Sequence, residues 1–74
     1  MNKHKLPKTK DCILELENSW LTIWFNRPEK NNALSNNLIE EIIHTLTVFK
    51  HDQSVRGIIF RGKGNIFCAG ADLK

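Results

Sequence analysis

Long apolar runs are missing from this chain of 74 residues. None approaches the ~20 residues that a membrane-spanning helix needs, so no membrane partner is expected. The lysines at the start of the chain are not followed by an apolar stretch, which argues against a secretory signal. The length allows one domain at most, and an apolar content of 41% with mixed charge is typical of a soluble globular protein.

Cysteine is also scarce, with only Cys12 and Cys68. The two residues have neither the C-x-x-C spacing of a zinc or redox site nor the density of a disulfide scaffold, so no metal site is predicted. Two small buried thiols in a reducing compartment are expected, and the predicted location is cytoplasmic. A disulfide between the two cysteines remains the alternative.

Basic charge is concentrated at the start of the chain. Four lysines lie in the first ten residues, whereas residues 11–74 carry seven basic and eight acidic side chains. We therefore predict a basic flexible tail over residues 1–11 and a nearly neutral domain over residues 12–74. Such a tail can bind nucleic acid or acidic lipid, with Trp20 and Trp24 stacking on bases. A solvated terminus, and tryptophans packed against a helix, are the favoured interpretation, so no nucleic-acid partner is expected.

The hydrophobic pattern predicts two strands near the start of the domain. The segments Cys12–Glu17 and Trp20–Phe25 are rich in β-branched, aromatic and alternating apolar residues. Asn18 and Ser19 between them are turn residues. The sequence therefore predicts an antiparallel hairpin.

A helix and a third strand are predicted after a polar connection over residues 26–32. Ser35 is a suitable N-cap, and apolar residues recur at helical spacing from Leu34 to Phe49. Residues 55–61 are almost continuously apolar, which is typical of a parallel strand covered by the preceding helix. The predicted fold class is α/β.

The end of the chain, residues 64–74, is rich in glycine and alanine. Small residues allow backbone N–H groups to approach a ligand closely, and such groups can stabilise an oxyanion without any side chain. A simple turn after a strand is the alternative interpretation of this spacing.

Three segments of the chain carry recognisable motifs. Residues 26–34 read N-R-P-E-K-N-N-A-L and match the pattern N-R-P-x-x-x-N-A-L. Leu38, Ile42 and Leu46 are spaced along one helix, and residues 55–74 match the pattern V-R-x-I-I-x-x-G-x-G-x-x-F-x-A-G-A-D-L-K. In these three segments the chain resembles the enoyl-CoA hydratase/isomerase family, also called the crotonase superfamily. The resemblance implies a partial crotonase-like ββα unit: an antiparallel hairpin, a helix, a parallel strand and an oxyanion loop.

The resemblance also implies roles for individual residues. The backbone N–H of Ala71 corresponds to one of the two oxyanion-hole donors that stabilise the thioester oxygen, which makes Ala71 the one catalytic position expected in this chain. The implied contacts to coenzyme A or to the acyl group are made by Lys30, Ala33, Ala69, Ala71, Asp72 and Leu73. Coenzyme A enters as part of the acyl-CoA substrate, and no permanently bound cofactor is expected.

Catalytic carboxylates and a second oxyanion donor lie further along the chain in the family, beyond the position that matches Lys74. The sequence therefore resembles an N-terminal fragment of a lyase or isomerase of fatty acid metabolism, with hydratase as the default activity, and it is expected to be inactive alone. Members of the family are usually trimers or hexamers, but the C-terminal helices that complete such assemblies are expected to be missing from this chain. The alternative hypothesis is a binding module that needs a partner, because a third strand without a neighbour would leave an open edge.

Overall fold

The computed structural model describes residues 6–70, which form a three-stranded sheet and one long helix. Strand β1 (Cys12–Glu17) and strand β2 (Trp20–Phe25) form an antiparallel hairpin, as predicted. Asn18 and Ser19 turn the chain with φ angles of 54° and 71°. In the described part of the chain, no helix has the length and apolar character needed to cross a bilayer.

Helix α1 (Asn36–Phe49) confirms the predicted helix. It begins at the predicted cap, because the Ser35 hydroxyl accepts a hydrogen bond of 3.1 Å from the backbone N–H of Leu38. This bond satisfies one of the N–H groups that the first turn leaves without a partner. The polar connection before the helix contains a short 3₁₀ helix, Pro28–Lys30.

Strand β3 (Gly57–Gly62) pairs with β2 in parallel, and the sheet order is β1-β2-β3. The parallel strand is confirmed, but it lies slightly later than the predicted residues 55–61. Val55 and Arg56 precede the strand: the N–H of Val55 donates to the carbonyl of Asp52 (3.1 Å), and the N–H of Arg56 donates to the carbonyl of Ser19 in the hairpin turn (2.7 Å). Because β2 begins at Trp20, opposite Gly57, the ladder cannot start earlier.

The core lies between the helix and one face of the sheet. The alternation of β2 turns Leu21, Ile23 and Phe25 to this face, where the first two are fully buried. Leu38 and Phe49 from α1 pack against them, together with Cys12 from β1. The helix therefore positions β2, and β2 positions the loops that leave its carboxyl end.

The two tryptophans lie on the opposite face of the sheet, so the predicted packing of both against a helix is wrong. They alternate with Leu21, Ile23 and Phe25, which already occupy the helix side. The indole of Trp24 instead contacts two cations, with Arg61 Cζ 4.6 Å and Lys63 Nζ 3.8 Å from the ring centroid.

Candidate functional site

The candidate site is formed by two segments that leave the same edge of the sheet. Strands β2 and β3 are parallel, so residues 26–34 and residues 63–70 begin side by side. We call them the 26–34 segment and the 63–70 loop. Their first contact continues the sheet, with the N–H of Lys63 donating to the carbonyl of Phe25 at 2.9 Å.

The side chain of Asn32 joins the two segments. It is fully buried, and its Oδ1 accepts a hydrogen bond of 2.8 Å from the backbone N–H of Arg27. Its Nδ2 donates to the carbonyls of Lys63 (2.8 Å) and Ile66 (2.6 Å) in the loop. These three hydrogen bonds replace the bonds to water that the amide loses on burial.

Backbone hydrogen bonds join the far end of the loop to the same segment. The N–H of Ala69 donates to the carbonyl of Asn31 at 3.0 Å, and the N–H of Leu34 donates to the carbonyl of Gly70 at 2.8 Å. Ala33 lies between these two contacts in the chain, and its carbonyl accepts a hydrogen bond from the Arg27 guanidinium. The structure thus brings Ala33 and Ala69 close together in space.

Two further packing contacts determine the path of the loop. A Cβ atom on Gly62 would lie only 2.6 Å from the Phe67 carbonyl oxygen and 2.9 Å from Asn32 Nδ2, so only glycine fits there. The Phe67 ring stacks on Phe25 with a centroid separation of 5.1 Å. The loop therefore folds back over the end of β2.

The predicted site residues are distributed as follows. Lys30 ends the 3₁₀ helix and is exposed, Ala33 is half-buried, and Ala69 is exposed in the loop. Ala71, Asp72 and Leu73 lie outside the described residues. Residues 6–70 enclose no cavity, and the site is an open surface at the edge of the sheet.

The thiols near the site are both free. Cys12 begins β1, and its side chain is buried in the core. This burial is the largest cause of the rise in its pKa to about 11. Cys68 is half-buried in the loop. Within residues 6–70, no three His, Cys, Asp or Glu side chains are grouped so that they could hold a metal ion.

The sequence pattern assigns no role to Asn32, although its side chain joins the two segments. One signal was available: Asn31 and Asn32 form an Asn pair after a Pro-initiated turn, and asparagine tolerates the left-handed conformation that both adopt, with φ angles of 52° and 58°.

The sheet, the helix and the glycine-dependent loop together define a partial unit of the crotonase fold. A crystal structure of an enoyl-CoA hydratase/isomerase from Xanthobacter autotrophicus Py2 superimposes with a TM-score of 0.83 at 33% identity, over 89% of this chain and 24% of that one. One from Mycobacterium paratuberculosis gives 0.83 at 31% identity, over 90% and 26%. The family model for enoyl-CoA hydratase/isomerase matches residues 15–74. The chain belongs to this family.

The relatives of the chain include proteins named for hydratases and proteins named for hydrolases. The human enoyl-CoA hydratase domain-containing protein 2, mitochondrial, is 47% identical over 53 residues, which are 70% of this chain and 18% of the relative. The 3-hydroxyisobutyryl-CoA hydrolase 1 of Arabidopsis thaliana is 36% identical over 69 residues, or 93% and 18%. The chain thus spans about a fifth of the length of these two relatives.

Proposed function

We propose that the chain binds an acyl-CoA thioester and that the backbone N–H of Ala71 helps to stabilise an enolate formed from it. The observation that carries this proposal is the pair of hydrogen bonds from Ala69 to Asn31 and from Leu34 to Gly70, at 3.0 and 2.8 Å. They place Ala33 of the 26–34 segment beside the loop that leads directly into Ala71.

The chemistry of the loop suits this role. When a proton leaves the carbon next to a thioester, or water adds to a conjugated enoyl thioester, negative charge develops on the carbonyl oxygen. A fixed N–H donor stabilises that charge and needs no side chain. In this proposal Lys30, Ala33 and Ala69 contact the coenzyme A part of the substrate, while Asp72 and Leu73 line the acyl part. Coenzyme A is then part of the substrate, and no permanently bound cofactor is required.

Hydration is the reaction that we propose by default. One relative of similar sequence is instead named a hydrolase. The carboxylates that hydration requires and the second oxyanion donor are proposed to lie in a part of the family fold that matches none of these 74 residues. The cytoplasmic location also remains a proposal; two free cysteines are consistent with a reducing compartment.

The alanine content of the chain offers a direct experiment. The sequence contains three alanines, Ala33, Ala69 and Ala71, and all three lie in the proposed site. A chain labelled with [¹⁵N]alanine should therefore give one backbone amide signal for each. The chain would be titrated with butyryl-CoA and, separately, with coenzyme A, which lacks the thioester carbonyl.

We expect the Ala33 signal to move with both ligands and the Ala71 signal to move downfield with butyryl-CoA only. Replacing Ala71 by Pro removes the N–H, whereas Ala71→Ser keeps it. In the proline variant, the ratio of the affinity for butyryl-CoA to the affinity for coenzyme A should fall roughly fivefold to tenfold. In the serine variant this ratio should stay the same. A folded chain whose alanine signals respond to neither ligand would exclude the proposal.

The partner-dependent binding module is the second candidate, and one observation favours it. Strand β3 has β2 as its only neighbour in the described sheet, and Ile58, Ile59 and Phe60 are each about 40% exposed. An edge strand with exposed apolar residues is suited to pairing with another chain.

A further inference from the structure

We infer that Asn32 is a positioning residue for the proposed thioester site: its buried amide holds the 63–70 loop, and through it the backbone donor at Ala71. The inference rests on the proposed acyl-CoA function. It concerns a side chain that would not touch the substrate but would act through the loop.

The hydrogen bonds of Asn32 connect parts of the chain that are far apart in sequence. The Nδ2 group donates to carbonyls 31 and 34 residues further along, at Lys63 and Ile66. The Oδ1 atom accepts from Arg27 in its own segment. Since the side chain is 0% exposed, water cannot replace any of these partners without moving the loop. One amide thus fixes the distance between the two segments.

The middle of the loop depends on this amide more than its ends do. Lys63 is also held through its N–H by Phe25, and Ala69 and Gly70 are held by the backbone of the 26–34 segment. Ile66 is 42% exposed, so its side chain is only partly buried, and the stacking of Phe67 on Phe25 is the other contact that holds this part of the loop. Ala69 lies only three residues after Ile66, so movement at Ile66 would also strain the hydrogen bond from Ala69 to Asn31. We therefore expect that losing the Asn32 donors would let the middle of the loop move and weaken the bond at Ala69, while the fold around β2 and α1 persists.

The test uses the [¹⁵N]alanine chain with Asn32→Asp and a matched control, Asn18→Asp. Aspartate has the size of asparagine but places an oxygen where the NH₂ group was, so both donations to the loop are lost and the acceptance from Arg27 is kept. Asn18 has nearly the same left-handed backbone, with a φ of 54° against 58°, and it is exposed in the hairpin turn away from the site. Asn18→Asp therefore measures the effect of an Asn-to-Asp change in a left-handed turn that is remote from the site.

We expect Asn32→Asp to raise the exchange rate of the Ala69 amide with solvent by about tenfold. The shift of the Ala71 signal caused by butyryl-CoA should fall by more than about half, while the shift of the Ala33 signal caused by coenzyme A stays within about twofold. Asn18→Asp should match the unmodified chain in all three. Equal loss of the Ala33 and Ala71 responses would indicate a purely structural role and would overturn the inference, as would no change in either.

A second variant covers the case in which the buried carboxylate prevents folding. Asn32→Gly removes the same donors, introduces no charge and adds no alanine signal, and glycine readily adopts the φ of 58° at this position. The Ala71 response to butyryl-CoA should again fall while the Ala33 response to coenzyme A is kept. If both variants lose the folded alanine spectrum while Asn18→Asp keeps it, Asn32 is required for the fold itself and the positioning role is wrong. If the unmodified chain does not respond to butyryl-CoA, the proposed function fails instead, and the exchange rate of Ala69 still reports whether Asn32 holds the loop.

Discussion

At the residue scale, burial controls the chemistry of Cys12. The thiol is 1% exposed in the core cluster beneath the hairpin, and desolvation raises its pKa from 9.0 to about 11. The nearby carboxylate of Glu41 adds to this rise, and the hydrogen bond with Thr9 opposes it. Glu41 also accepts hydrogen bonds from the backbone N–H groups of Lys10, Asp11 and Cys12, which ties the start of β1 to the helix.

The raised pKa of Cys12 predicts a loss of stability in alkali. The unfolded chain releases the thiol proton near pH 9.0, whereas the folded chain retains it until about pH 11. The thiol therefore contributes fully to the free energy of unfolding below pH 9.0, and this contribution is lost as the pH rises towards 11. Urea unfolding of a Cys68→Ser chain at several pH values across this range should show the decline.

The control is Cys12→Ala in the same Cys68→Ser background. Other groups also titrate in alkali, but they are common to both chains, so the difference between the two pH profiles belongs to Cys12. Parallel profiles would contradict the prediction.

At the element scale, specific contacts, some local and some tertiary, determine where a segment begins. Helix α1 starts where the Ser35 hydroxyl caps it, and strand β3 starts where β2 offers a partner at Trp20. The ring of Trp20 also lies over Gly57, where a Cβ atom would be 2.3 Å from the indole. The Ser35 cap and the contact between Trp20 and Gly57 thus determine where α1 and β3 begin.

The cap of helix α1 gives a testable prediction. Replacing Ser35 by Ala removes the acceptor for the Leu38 N–H and should lower the free energy of unfolding by about 1 kcal/mol. Ser35→Asp provides an oxygen at the same position and should retain most of the stability, since a negative charge at a helix N-terminus is also favourable. Urea unfolding followed by circular dichroism compares the two variants, and equal losses would show that the cap is not the cause.

At the scale of the whole molecule, the two edges of the described sheet differ in character. Strand β1 alternates apolar residues with Glu15 and Glu17, whereas β3 exposes three consecutive apolar residues at 58–60. Charged residues on an edge oppose pairing with other chains, and apolar ones favour it. The β3 edge is therefore the surface at which we expect association.

Association through β3 can be tested with one matched pair of variants. Ile59 on β3 and Ile13 on β1 lie on the same face of the sheet, and they are 39% and 36% exposed. We expect concentration-dependent self-association of the chain in sedimentation velocity, with Ile59→Lys reducing it and Ile13→Lys having much less effect. Equal effects of the two substitutions would assign the association to general hydrophobicity rather than to the β3 edge.

Much of the fold could be predicted because its causes are local in sequence. The alternation in β1 and β2, the turn residues Asn18 and Ser19, and the cap at Ser35 each act within a few residues. The side of the sheet on which Trp20 and Trp24 lie could not be predicted in this way. Both faces of β2 carry large apolar side chains, and only packing against α1 decides which face is buried.

The sequence by itself determined the order of the elements, the parallel pairing of β3 and the family, because hydrophobic period and motif spacing are properties of the chain. Only the tertiary structure decided that Asn32 joins two segments 31 residues apart and that Ala69 lies beside the segment that contains Ala33. The physical reason is that a buried amide must find its hydrogen-bond partners wherever the fold places them. That placement depends on how the loops leaving β2 and β3 fold back on one another, which no local pattern specifies.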